Sequence, residues 1–243
     1  MTKIGRKIKQ TAQKVGRLFN RGRKKVGRSV KALQEKLESF NVFNKNKISS
    51  VDELTDLERL AAQIAQETYK SNRDPYVGSF ELQNRGSDTT TATYLDKQNN
   101  HLIIGYRGTK SIQDVITDYQ LGQGNELSTG RFQKDLEQYE QIVGFYNPSK
   151  ITITGHSLGG SICFNLYALK DNIDNVIVFN PAFNQNDIKR NVSEVNKQNT
   201  TIIRTAADPI SILSPLFSKA KIKTLQVDQN LNLIQIHSID NFL

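Results

Sequence analysis

The stretch Ile151-Thr-Ile-Thr-Gly155-His156-Ser157-Leu158-Gly159-Gly160 constrains this chain more than any other. Alternating β-branched Ile and Thr predict a buried strand. The apolar run from Ser161 to Leu169 predicts a packed helix. Between them lies Gly-x-Ser-x-Gly, and a strand handing over to a helix through such a turn lifts the serine hydroxyl onto the turn's apex. Positions 155 and 159 are small because a larger side chain would clash on so tight a bend. The plain alternative is a glycine-rich turn with an incidental serine; the flanking strand and helix favour a nucleophile. The expected architecture is α/β, a mostly parallel central sheet flanked by helices. The rest of the chain must then supply a histidine, an acid and donors for an oxyanion.

Charge divides the chain in two. Residues 1–47 hold 15 Lys and Arg against Glu35 and Glu38, a net +13, and the remainder carries −4. In the basic part Lys3-Ile-Gly-Arg6, Lys14-Val-Gly-Arg17 and Lys25-Val-Gly-Arg28 recur every eleven residues. Ile4, Ile8, Ala12, Val15, Leu18, Val26, Val30, Leu33, Leu37 and Phe40 then follow one helical face. An eleven-residue period keeps that stripe on one side of a nearly straight helix. A basic face opposite an apolar stripe describes a helix lying in a membrane interface. Gly5, Gly16, Gly22 and Gly27 each cost roughly 1 kcal/mol in a helix, and Arg17, Arg21 and Lys25 repel one another at four-residue spacing. Each basic side chain near anionic lipid contributes about 1 kcal/mol, so the expectation is an arm that folds on the surface. A solvated tail and a nucleic-acid-binding arm are the alternatives; the apolar stripe and the scarcity of aromatic residues rank lipid above nucleic acid.

The expected divisions are residues 1–43 as basic amphipathic arm, 44–50 as linker and 51–243 as the α/β domain. No apolar run follows the cationic N-terminus as a secretory signal would require, and no window reaches transmembrane length. The expected location is intracellular and peripheral on a membrane, with a virion-associated role as the alternative. Cys163 is the one cysteine, so no intramolecular disulfide framework exists.

Within the domain, Ser50-Val-Asp-Glu53 reads as a capping box opening a helix to about Lys70. Phe80–Asn84, Thr90–Leu95 and His101–Tyr106 read as strands, the last two forming a hairpin. Arg131–Tyr146 reads as a helix, Asn175–Phe179 and Thr200–Thr205 as strands, and 187–195 as a short helix. Lys221–Val227 and Leu231–Ile236 read as a final hairpin.

A serine hydroxyl needs an adjacent base. Of the three histidines, His156 sits inside the turn, pointing the wrong way, and His101 opens an early strand. His237 remains, read as an exposed loop residue able to swing over Ser157. The acid that orients it should lie between Ser157 and His237 in sequence. Asp171, Asp174, Asp187, Glu194, Asp208 and Asp228 are available, and only Asp208 directly follows an apolar strand, at the carboxyl end where such sites gather. Oxyanion donors must be fixed in advance: the Leu158 N–H at the start of the helix, and Thr109 after the strand that breaks at Gly108.

Tyr106-Arg-Gly-Thr109, Ser111-Ile-Gln-Asp-Val-Ile-Thr-Asp118, Gly155-His-Ser-Leu-Gly-Gly160 and Phe179-Asn-Pro181 together resemble the class 3, fungal-lipase-like α/β hydrolases over about residues 50–240. The resemblance implies an α/β-hydrolase fold, with Ser157, Asp208 and His237 as the triad and Thr109 and Leu158 as oxyanion donors. It also implies that Asp118 holds the oxyanion hydroxyl and that Arg107 ties the oxyanion loop down. Val115 stands where the family often has Trp, and the lid region, residues 119–130, is polar and glycine-rich. The implied activity is serine carboxylic-ester hydrolysis of lipids, of lipase or phospholipase type, requiring no metal or cofactor. The apolar stretch 209–217 is a candidate acyl-chain wall. The competing reading is a catalytically inactive hydrolase scaffold that binds membrane or nucleic acid.

Overall fold

The computed structural model describes residues 47–109, 130–182, 199–206, 208, 210–211, 220–228 and 231–243. The basic arm, Val115, Asp118, residues 119–129, the expected helix at 187–195 and most of 209–217 lie outside them.

The described strands form one mixed sheet. In chain order they are β1 (Lys47–Ile48), β2 (Tyr76–Val77), β3 (Phe80–Leu82), β4 (Thr91–Asp96), β5 (His101–Tyr106), β6 (Lys150–His156), β7 (Asn175–Phe179), β8 (Thr200–Thr205) and β9 (Lys221–Leu225). Their spatial order is β1-β9-β8-β7-β6-β5-β4-β3-β2. Pairing is parallel from β1 through to β5, and antiparallel across β5, β4, β3 and β2. The β4–β5 hairpin is the expected one, its turn held by Asp96, whose carboxylate accepts the Gln98 and Asn99 N–H groups. Helices α1 (Asp56–Glu67), α2 (Gly130–Tyr146), α3 (Leu158–Leu169) and α4 (Leu233–His237) complete the fold, with a 3-10 turn at Ile239–Phe242.

Strand alternation sorts the core into two layers, because successive side chains point to opposite faces. Leu102, Ile104, Ile151, Ile153, Val176, Val178 and Ile202 pack with α2 and α3. Ile177, Phe179, Ile203 and Leu225 pack instead with Ala61, Ala62 and Ala65 of α1 and with Phe242. Each such side chain taken from water contributes about 1.5–3 kcal/mol, so the central strands are locked in register beneath the site.

Three expectations need correction. The linker 44–50 is not wholly linker: Lys47 and Ile48 pair in parallel with Thr224 and Leu225, and Ile48 is buried. The first helix starts later and ends earlier than its pattern suggested. Ser50 accepts the Asp52 N–H and caps only a 3-10 turn, Val51–Glu53. The reciprocal capping box is Thr55 with Glu58, a second copy of the same Ser/Thr-x-x-Glu signature five residues on. Finally, Leu231–Ile236 forms no hairpin strand. Asn232 accepts the Ile234 and Gln235 N–H groups, and the Gln235 side chain accepts the Asn232 N–H; that capping box starts α4, while β9 pairs in parallel with both its neighbours.

Candidate active site

β6 ends at His156, and Ser157 follows with φ 57° and ψ −124°. A non-glycine residue there stores roughly 1–3 kcal/mol of strain that its surroundings must hold. The end of β7 does this holding. The Ser157 N–H donates to the Phe179 carbonyl at 3.1 Å, and the Ser157 carbonyl accepts from the Ala182 N–H at 3.0 Å. Gly159 is required by contact, since a Cβ there would fall 1.9 Å from the Tyr106 carbonyl oxygen. The turn thus packs directly on the end of β5.

Asp208 and His237 meet beside it. His237 Nδ1 lies 3.1 Å from Asp208 Oδ1, with both side chains buried. The carboxylate also accepts the Ile210 N–H at 3.1 Å and the Ser211 N–H at 3.0 Å. Burial alone would raise the Asp208 pKa. The His237 ring, the Ser211 bond and the charge of Arg204 together outweigh it, and the group sits below the usual aspartate value. The expectation of an exposed, swinging His237 is overturned. It ends α4 with no exposed surface, because the Asn232 cap folds the segment inward. Ser157 Oγ and His237 Nε2 are both buried and without a hydrogen-bond partner among the described residues, so each carries a polar atom of the type a proton transfer needs. Asp174 is separated from this cluster: it accepts the Ile151 N–H at the opposite end of β6.

The end of β5 leads into the segment expected to carry Thr109. Gly108 lies against the nucleophile turn, where an added Cβ would come within 2.7 Å of the His156 carbonyl and 3.0 Å of Ser157 Cβ. Thr109 follows it, half-buried, and Leu158 opens α3, where first-turn N–H groups have no helical acceptor. The Arg107 Nε is buried without a hydrogen-bond partner among the described residues. The Arg107 carbonyl accepts from Arg131 at 3.1 Å, and Arg131 is itself paired with buried Asp135 at 2.6 Å. Among the described residues no group of His, Cys, Asp and Glu converges as metal ligands would.

Residues 51–236 match the phospholipase-like family, in its Tle-like phospholipase domain. The chain belongs to that family. This Tle-like domain is therefore a lipase- or phospholipase-like ester hydrolase domain. Among solved structures, Lip2 lipase from Yarrowia lipolytica aligns at 20% identity over 84% of this chain and 84% of that one, with a TM-score of 0.45. A mono- and diacylglycerol lipase from Aspergillus oryzae aligns at 18% identity over 77% and 85%, with a TM-score of 0.47. Likeness at that level adds no functional inference. No curated protein sequence matches the chain.

The Tle-like domain also uses residues that sequence reasoning passed over. Tyr69, just beyond α1, accepts the Gly108 N–H at 3.0 Å and bonds His156 Nδ1 at 2.9 Å. The other His156 nitrogen lies 2.6 Å from the His237 carbonyl. His156 is thus no base for Ser157 but a strut between the oxyanion segment and the histidine segment. Asn180, with φ 40° and fully buried, reaches the Ile236 and His237 carbonyls at 3.3 Å and accepts the Thr205 N–H at 2.8 Å. It appeared in the sequence only as a turn residue in Phe179-Asn-Pro181. Nothing local marks Tyr69; its partners are remote in sequence.

Two histidines of the domain are held neutral. Burial, aided by Lys150, lowers His101 to about 4, and burial, aided by His237, lowers His156 to about 3, against 6.5 ordinarily. The unfolded chain takes up both protons below about 6.5, whereas the folded chain refuses them. Stability is therefore lost as pH falls from about 6.5 and the loss ends near the folded values, at most about 1.4 kcal/mol per pH unit for each histidine. His101→Gln, which can keep a bond to Thr152, is expected to flatten the fall of unfolding free energy between pH 6.5 and 4. Denaturant titrations across that range check it; an unchanged slope removes His101 from the account.

Proposed function

We propose that this protein is a serine carboxylic-ester hydrolase of lipids, working through Ser157, His237 and Asp208. The observation that carries the reading is the buried Asp208–His237 pair beside a serine held at positive φ. His237 Nε2 takes the Ser157 proton as Oγ attacks the acyl carbonyl, and Asp208 stabilises the imidazolium through Nδ1–H. The N–H of Leu158 and the N–H and hydroxyl of Thr109 receive the charge that develops on the carbonyl oxygen. His237 then returns the proton to the departing alcohol, and water, activated by the same imidazole, releases the acyl-enzyme. Asp118 would hold the Thr109 hydroxyl, and Arg107 would brace the segment.

The substrate reading is phospholipid or monoacyl lipid at an anionic surface. Two observations favour it: the phospholipase-like family and the +13 charge with apolar stripe of residues 1–47. Among the described residues no helix is long and apolar enough to cross a membrane; in this reading the arm, by its charge and apolar stripe, attaches the protein peripherally to the surface. The test compares full-length protein with residues 45–243, a boundary that keeps β1. Both forms are expected to cleave short soluble esters equally. Only the full-length form should cleave phospholipid in anionic vesicles at low salt, with the difference shrinking as salt screens the arm. Equal vesicle hydrolysis by both forms would remove the arm from the mechanism, and arm helicity that appears with DNA alone would reassign it to nucleic acid.

A further inference from the structure

The strand that delivers Asp208 contains a residue foreign to its surroundings. β8 reads Thr-Thr-Ile-Ile-Arg-Thr, and Arg204 within it is buried, 2% exposed. An arginine cannot shed its charge, and taking a cation out of water costs several kcal/mol unless bonds and an opposite charge compensate. Bonds and an opposite charge are both found on the Asp208 turn. Arg204 Nη2 donates to the Asp208 backbone carbonyl at 3.2 Å, and Nε donates to Ser211 Oγ at 3.2 Å. Ser211 in turn gives its N–H to the Asp208 carboxylate. The guanidinium therefore grips both ends of the turn that presents the acid.

We propose that Arg204 is a positioning residue for hydrolysis, its buried guanidinium fixing the Asp208–Ser211 turn and setting the electrostatics of the Asp208–His237 pair. The proposal rests on the triad reading above. A neutral hydrogen-bonding side chain would satisfy the same carbonyl and hydroxyl, so the charge needs its own reason. The titratable groups that act on the pair from the described elements include His156 at the end of β6 and Arg204 on β8, beside Asp208 and His237 themselves. Burial and His237 keep His156 neutral, down to about 3, leaving Arg204 as the permanent cation in that set. Its charge adds to the His237 and Ser211 interactions that together hold Asp208 below the usual aspartate value despite burial. Without it the buried pair loses a neighbouring positive charge, so an added proton on the pair is opposed less and, on acidification, activity that needs the free base should fall away at higher pH.

The experiment measures kcat/KM against pH for a soluble short-chain ester, using full-length wild type, Arg204→Met and Arg204→Lys, with circular dichroism and fluorophosphonate labelling of each. Arg204→Met is expected to lose about tenfold or more in kcat/KM and to move the acid limb upward by about one pH unit. Arg204→Lys retains the charge but loses the fork, so its rate should fall with the acid limb in the wild-type place. A folded Arg204→Met with the wild-type acid limb overturns the proposal, as does an Arg204→Lys limb displaced as far as that of Arg204→Met. If Arg204→Met does not fold, Arg204→Lys decides by the same criterion: an unmoved limb supports the proposal and a displaced one ends it. Wild type that is folded yet neither labelled nor active sinks the triad reading, and this proposal with it. Labelled, active wild type alongside an unshifted Arg204→Met sinks this proposal alone.

Discussion

Ser157→Ala is expected to lower kcat by about 10^6-fold and to eliminate labelling by a fluorophosphonate, with the fold unchanged. The serine oxygen has no hydrogen-bond partner among the described residues, so its removal orphans none of their groups, and alanine keeps the Cβ already accommodated beside Gly108. Activity above the uncatalysed rate should persist at a low level, because the oxyanion donors remain. The strained backbone supplies a second arm to the test. Alanine at φ 57° is as strained as serine, whereas glycine adopts positive φ freely. Relief of roughly 1–3 kcal/mol, less about 0.5–1 kcal/mol of added chain entropy, makes Ser157→Gly inactive but more stable than Ser157→Ala. Chemical denaturation of both variants reads that difference. A folded wild type that takes no label, or a Ser157→Ala variant that still does, removes Ser157 as nucleophile; equal stability of the two variants removes the strain.

Much of this site was legible because its signals are local. The elbow declares itself through a strand, two glycines and a helix within twenty residues, and β5, β7 and β8 through their apolar runs. Asp208 stands out by its place at a strand end, and its carboxylate lies 3.1 Å from His237 across a sequence gap of 29 residues. What was misread has physical causes. Leu231–Ile236 is apolar enough for a strand, but Asn232 and Gln235 satisfy each other's end groups and make a helix the cheaper local solution. That helix carries His237 into the interior. β1 is two residues long and exists only because β9 offers an edge; no periodicity can reveal so short a pairing. Tyr69 and Asn180 act through partners that only tertiary structure brings near. Arg204 alone left a trace, a charged residue in an apolar strand four places before the acid, where burial without a partner is improbable.

Asp208→Asn is expected to cost about 10^4-fold in kcat, and the reason lies in three bonds that one carboxylate accepts. Oδ1 takes the His237 Nδ1 and Ile210 N–H, while Oδ2 takes the Ser211 N–H. An asparagine has one acceptor oxygen and one donor amide. With its oxygen toward His237, the NH2 group faces the Ser211 N–H, donor against donor, and a buried pair of that kind costs about 1–3 kcal/mol. With the amide reversed, NH2 faces Nδ1 and forces the proton onto Nε2, leaving His237 unable to accept from Ser157. The first orientation keeps the tautomer only at that cost, the second loses the base, and neither supplies the negative charge that stabilises the imidazolium. The change also removes a negative charge near buried Arg204, so Asp208→Asn should unfold at lower denaturant than Ser157→Ala. Kinetics and stability together separate the roles: a carboxylate that served only the fold would lower the midpoint of unfolding and spare the rate of the molecules still folded. Near-wild-type turnover in folded Asp208→Asn would transfer the acid's part to another carboxylate, and the Arg204 grip on this turn would then be structural alone.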